Sequence, residues 1–268
     1  MNCILQGLRI FAQNTYFLRY FIELAYKGTN YHGWQIQPDA VSVQEKVNLA
    51  FSKILNTSIQ TVAAGRTDTG VHASQMFVHV DTPIQINTQN YIFKLNAVLP
   101  DDIVIYDIFE VQQDAHTRFH ATSRSYTYKI YQGRNPFLLE TTWQLYRQEL
   151  DIPLMNKAAS ILLEHSDFQC FSKAKSDVKT YNCTITEAKW VQTGKDLTFY
   201  ITADRFLRNM VRAIVGTLVE IGRGKKSIED LHSIIASKNR SKAGTSAPAQ
   251  GLSLTAVTYS ENIKDGRK

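Results

Sequence analysis

The chain has 268 residues, enough for one large domain or two of ordinary size, and its 44% hydrophobic and 20% charged content excludes a generally disordered protein. Three scattered cysteines, Cys3, Cys170 and Cys183, exclude a disulfide framework and a cysteine-built zinc site and fit a reducing compartment, and no run of about 18 apolar residues marks a membrane span. The net charge of +6 and pI of about 9.1 favour an acidic partner such as nucleic acid, and residues 205–242 alone hold nine Lys/Arg against three Asp/Glu, equal to the whole excess.

Residues 1–17 read as an N-terminal extension. They lack a basic segment followed by an apolar run, so no signal peptide is expected and the protein is expected to be cytoplasmic. Leu18 to Ala25 alternates as a strand. The next segment, YKGTNYHGWQ from Tyr26 to Gln35, has two glycines and three aromatics. It suits either a hairpin with a core Trp34 or a turn that packs something flat. Val43 to Leu55 places apolar residues on one face of a helix, with Ser42 as N-cap. Short sheet-forming segments at Ile59–Ala63 and Met76–Val80 flank the sequence AGRTDTGVHA, residues 64–73. Asp68 therefore lies on a loop between two strands. A helix over Tyr91–Val98 and a strand over Ile103–Val111 complete a first half, with the boundary expected near residues 112–117.

The second half has a similar rhythm. Ser125 to Tyr131 alternates as a strand, Leu154 to Leu163 as a helix, and residues 164–180 read as a polar, Lys-rich loop. Strands at Thr184–Gln192 and Leu197–Ala203 are joined through Thr193-Gly194-Lys195-Asp196, a hairpin signal. Helices follow at Leu207–Ile221 and Ile228–Ser237, then a last strand at Leu252–Tyr259. The expected class is α+β. Two mixed halves, 18–114 and 115–268, carry antiparallel sheets joined into one central sheet. Helices are expected to pack on it, with a cleft between the halves.

Three places combine chemistry-bearing residues. Around Asp68, Gly65 and Gly70 permit close backbone approach, and Arg66 offers a charge pair or a phosphate clamp. A tight surface turn with a solvated acid has the same local pattern. Residues 115–131, AHTRFHATSRSYTYKIY, mix Arg118, Arg124 and Lys129 with aromatic rings and with His116 and His120. That mixture suits stacking on single-stranded RNA, and it equally suits a half-buried strand. The two histidines lack a third ligand at a telling spacing, so no metal is expected. On the helix at 207–221, Arg212 lies roughly 120° from the centre of the apolar stripe. There it either snorkels to water or, partly buried, meets an anion.

AGRTDTGVHA resembles the catalytic motif of the tRNA pseudouridine synthases of the TruA type, with Thr69 where the family usually has Ala. YKGTNYHGWQ resembles its YDG…GWQ signature with Lys27 in place of Asp, FLRNMVRAIVGTLVEIGRGK its second signature, and Ala247-Pro248-Ala249-Gln250-Gly251-Leu252 a third segment. The likeness runs from about Leu18 to Thr258. It implies isomerisation of uridine to pseudouridine in the anticodon stem-loop, at positions thirty-eight to forty, by a homodimer that takes tRNA across both subunits. It also implies that Asp68 is catalytic, that Tyr126 stacks on the base, that Arg66 fills the space a flipped base leaves, and that Arg212 pairs with Asp68. His116 to Phe119 fall in the family's RNA-contacting loop. Arg118, Arg124, Arg208, Arg223 and Lys225 are the further expected RNA contacts. The reaction breaks the uracil N1–C1′ bond and joins C1′ to C5 without redox change or added atoms, so no cofactor is expected. Attack at C1′, attack at C6 and proton removal from C2′ each require one carboxylate. A non-catalytic RNA-binding module stands as the alternative. An Asp-based nucleosidase stands behind it, since such enzymes usually need a second carboxylate.

Overall fold

The computed structural model describes residues 17–173 and 178–263, so the expected extension at residues 1–17 lies outside the described residues except for Phe17. The elements, in chain order, are β1 (Leu18–Tyr26), α1 (Val43–Leu55), β2 (Val62–Ala63), β3 (His72–Thr82), α2 (Thr88–Val98), β4 (Ile103–Val111), β5 (Ala121–Tyr131), β6 (Trp143–Gln144), α3 (Ile152–Ile161), β7 (Ile185–Thr193), β8 (Asp196–Ala203), α4 (Met210–Gly222), α5 (Ile228–Ser237) and β9 (Leu252–Tyr259). The strands form one nine-stranded sheet, ordered β4-β1-β3-β9-β5-β8-β7, with β2 beside β3 and β6 beside β5. The class is the expected α+β, with both halves contributing to one sheet.

Each half is antiparallel within its main ladders. The seam between them is a short parallel pairing of β3 with β9, His72 opposite Ser253 and Ala73 opposite Leu254. In the second half the inward positions of β8, Leu197, Phe199, Ile201 and Ala203, are buried and meet Ala213, Ile214 and Leu218 of α4 in one apolar cluster. A second cluster fills the first half and takes in Leu254, Val257 and Ile263 from the end of the chain.

α1 starts and stops where its sequence indicates. The Ser42 hydroxyl accepts the Glu45 N–H at 3.2 Å, and Asn56 ends the helix in the left-handed region at φ 50°. α4 begins at Met210 rather than Leu207, because Asn209 takes φ 65° and breaks the helical path. The Asn209 side-chain amide donates to the Ser246 hydroxyl at 2.6 Å, which holds that turn. α2 begins three residues early, at Thr88, capped by Asn87. The strand expected at Ile59–Ala63 pairs only at Val62 and Ala63. The segment expected as a polar loop carries Phe168, Cys170 and Phe171, all fully buried. Its polar residues mask three apolar ones spaced too irregularly to show a period.

Candidate active site

Asp68 lies on the connection from β2 to β3, and that connection rests on the turn at residues 26–34. The Thr67 carbonyl accepts the Trp34 N–H at 3.3 Å, and the Gly70 N–H donates to the Tyr31 carbonyl at 3.2 Å. The Tyr26 hydroxyl and Thr67 Oγ1 are 2.8 Å apart. Trp34 is 2% exposed, so this aromatic turn buries its Trp in the core, as one of its two readings required. Two glycines let the backbones touch. A Cβ on Gly33, whose φ is +87°, would lie 2.4 Å from the Thr67 carbonyl oxygen, and one on Gly28 would lie 2.0 Å from that of Val71.

The second half supplies cations from the region where α4 starts. Arg212 Nη1 is 3.7 Å from one Asp68 oxygen, and Arg208 Nε is 3.8 Å from the other. These separations are Coulombic pairs, longer than hydrogen bonds. Arg212 is held in place, since its Nε donates to the Ala247 carbonyl at 2.7 Å while its own carbonyl accepts the Ala247 N–H at 2.9 Å. Arg208, expected as an RNA contact, also reaches the acid. The four-residue spacing of Arg208 and Arg212 was the signal available for that. The Asp68 side chain is 28% exposed, so the pairing leaves it open to a ligand.

Tyr126, on β5, is half-buried and packs edge-to-face on Phe206 with ring centroids 5.1 Å apart. Burial, together with the charge of Asp68, pushes its hydroxyl up to about 12, so it is a neutral ring with a donor at physiological pH. Arg66 is exposed. Asp68 on its loop thus meets Arg208 and Arg212 at the helix start, and the charge of Asp68 is felt at Tyr126 on β5.

His72 was not singled out by sequence. It is 8% exposed and joins three segments. Its Nδ1 accepts the Gly28 N–H at 2.9 Å, which assigns the ring proton to Nε2. Nε2 then donates toward the carbonyls of Glu140, at 2.9 Å, and Gln250, at 3.1 Å. Burial lowers the pKa of His72 below its ordinary value, in keeping with a neutral ring. The adjacent Lys27 pairs with Glu140.

A tRNA pseudouridine synthase family model matches residues 158–260. The chain is 50% identical over 248 residues to the tRNA pseudouridine synthase A of Bacteroides thetaiotaomicron, covering 91% of this chain and 92% of the relative. It is 50% identical over 250 residues to that of Porphyromonas gingivalis, covering 91% and 98%, and 42% identical over 242 residues to that of Moorella thermoacetica, covering 89% and 98%. The chain belongs to the tRNA pseudouridine synthase family. The alternative of a non-catalytic RNA-binding module finds no support in these relatives, each named a synthase.

The RNA contacts expected of a tRNA pseudouridine synthase divide into two groups. Phe119 is 73% exposed, with the His116 ring 4.3 Å away and the Arg118 guanidinium 5.9 Å from its centroid. That is an open stacking surface with a cation beside it. Lys225 is exposed too. Arg124 is engaged within the fold. Its Nη1 donates to the carbonyls of Ala121 and Asp204 at 2.9 Å each, and its Nη2 to those of Ala64 at 3.2 Å and Arg118 at 2.6 Å. These donors are spent on backbone from both halves, so Arg124 braces the fold. Arg223 is half-buried, with its guanidinium 5.6 Å from the Trp143 ring centroid and its Nε buried with no partner among the described residues. No group of three or more His, Cys, Asp or Glu among the described residues is placed to hold a metal ion. No helix among them is long and apolar enough to cross a membrane.

Proposed function

We propose that the protein isomerises uridine to pseudouridine in the anticodon stem-loop of tRNA, with Asp68 as its catalytic residue. The observation that carries the reading is the meeting of one open carboxylate with Arg208 and Arg212 across the junction of the two halves. The target base must leave the helical stack, at an expense of a few kcal/mol. Arg66, exposed near the acid in sequence, is suited to the vacated space. Tyr126, neutral and partly open, is suited to stack on the flipped uracil and keep it in place while C1′ exchanges N1 for C5. Arg212 fixes the carboxylate, which is a positioning task. His116, Arg118 and Phe119 are suited to RNA outside the pocket. Residues 18–114 and 115–268 act as two functional units in this reading, one bearing the acid and the other the cations and the stacking ring. A cytoplasmic homodimer acting at positions thirty-eight to forty is the expected form.

Asp68→Asn is nearly isosteric and removes the carboxylate. It is expected to retain tRNA binding and to lose tritium release from 5-tritiated tRNA. Wild-type rates in that variant would refute the role of Asp68. Release of free uracil by the wild type would instead mark a nucleosidase.

A further inference from the structure

The two guanidiniums at Asp68 are not alike. Arg212 projects from the first turn of a helix whose face is buried, is 21% exposed, and is tied through Nε to the Ala247 carbonyl. Arg208 lies two residues before that helix, on the far side of the left-handed Asn209, and its side chain is 62% exposed. Asp68 is the one side-chain partner described for Arg208, at 3.8 Å. An exposed pair at that separation is weak and salt-screened. Little holds Arg208 on the acid, whereas Arg212 is held whether or not the acid is there.

We propose that Arg208 is a transferable cation: it sits on Asp68 in the free protein and moves to the RNA phosphate flanking the flipped uridine when tRNA docks. The inference rests on the isomerase reading given above. A phosphodiester entering beside Asp68 brings a negative charge close to a carboxylate, which is repulsive. A guanidinium already at the mouth can turn from carboxylate to phosphate and take up a bidentate geometry there. The transfer uncovers the Asp68 oxygen it occupied, leaving the other oxygen with Arg212. It also couples arrival of RNA to exposure of the acid.

The test compares Arg208→Gln, Arg208→Lys and Arg212→Gln with wild type. A phosphate contact made by Arg208 lowers the slope of log Kd against log salt for tRNA by about 1 when its charge is removed. Arg208→Gln is expected to show that smaller slope and a KM raised about tenfold at low salt, with kcat changed less than KM. Arg208→Lys is expected to restore the slope. Arg212→Gln is expected to keep the wild-type slope and lose kcat. An unchanged slope in Arg208→Gln overturns the proposal, as does a loss confined to kcat. The slope is measured by binding alone, so it decides the role of Arg208 even if the wild type releases no tritium, the result that would sink the isomerase reading itself.

Discussion

Gly33→Ala tests whether the bed beneath the Asp68 loop sets the position of the acid. The new Cβ would lie 2.4 Å from the Thr67 carbonyl oxygen, whereas ordinary contact begins near 3.4 Å. The obstacle is backbone, so one of the two segments must move by about 1 Å, the difference between those distances. Ala at φ +87° is also strained, by about 1–2 kcal/mol. Stability therefore falls modestly, with Tm lower by a few degrees. Catalysis falls much more, because a shift of about 1 Å in a reacting group lowers rate by about 10²-fold. The expected result is a folded variant that binds tRNA with near-wild-type Kd and shows kcat for tritium release reduced by about 10²-fold. A folded variant with kcat within twofold of wild type would refute the reasoning, since the loop would then tolerate displacement.

His72→Ala removes the link between the Gly28 turn and the Glu140 and Gln250 carbonyls. It is expected to destabilise by about 2–4 kcal/mol in denaturant titration, with His72→Asn milder because it keeps an acceptor for Gly28. Arg124→Lys strands backbone carbonyls in both halves and is expected to lower Tm by several degrees while leaving the salt slope for tRNA unchanged. His79 is buried, and burial, aided by the charges of Arg19 and His116 against that of Asp81, pushes it down to about 4. Between its ordinary value near 6.5 and about 4 the unfolded chain takes a proton that the folded chain refuses. Stability is therefore intact above that window and falls by up to about 3 kcal/mol as pH drops through it. Unfolding curves at pH 7 and pH 4.5 should differ less for His79→Asn than for wild type.

The parts legible in the sequence are those governed by neighbours along the chain. α1 showed its limits because its apolar spacing and its Ser42 and Glu45 box act within a few residues. The Asp68 loop showed itself through its glycines. Long-range partners were not legible from pattern: the local sequence around Arg124 gives no sign of Ala64 or Asp204, and β6 is two residues whose only mark is pairing with β5. The pairing of Arg212 with Asp68 entered through family resemblance, since 144 positions separate the two residues and helical spacing alone left Arg212 at the stripe's border.

The position of β9 has a consequence for the order of events in synthesis. It follows every other described strand in the chain, yet it occupies the middle of the sheet, between β3 and β5. While the ribosome is still translating, both flanking ladders wait with open backbone groups. Insertion of Leu252–Tyr259 closes them together and brings the acid and its cations to a common seam. A chain truncated before Leu252 is therefore expected to keep Asp68, Arg208 and Arg212 and to lack the strand that joins the two ladders.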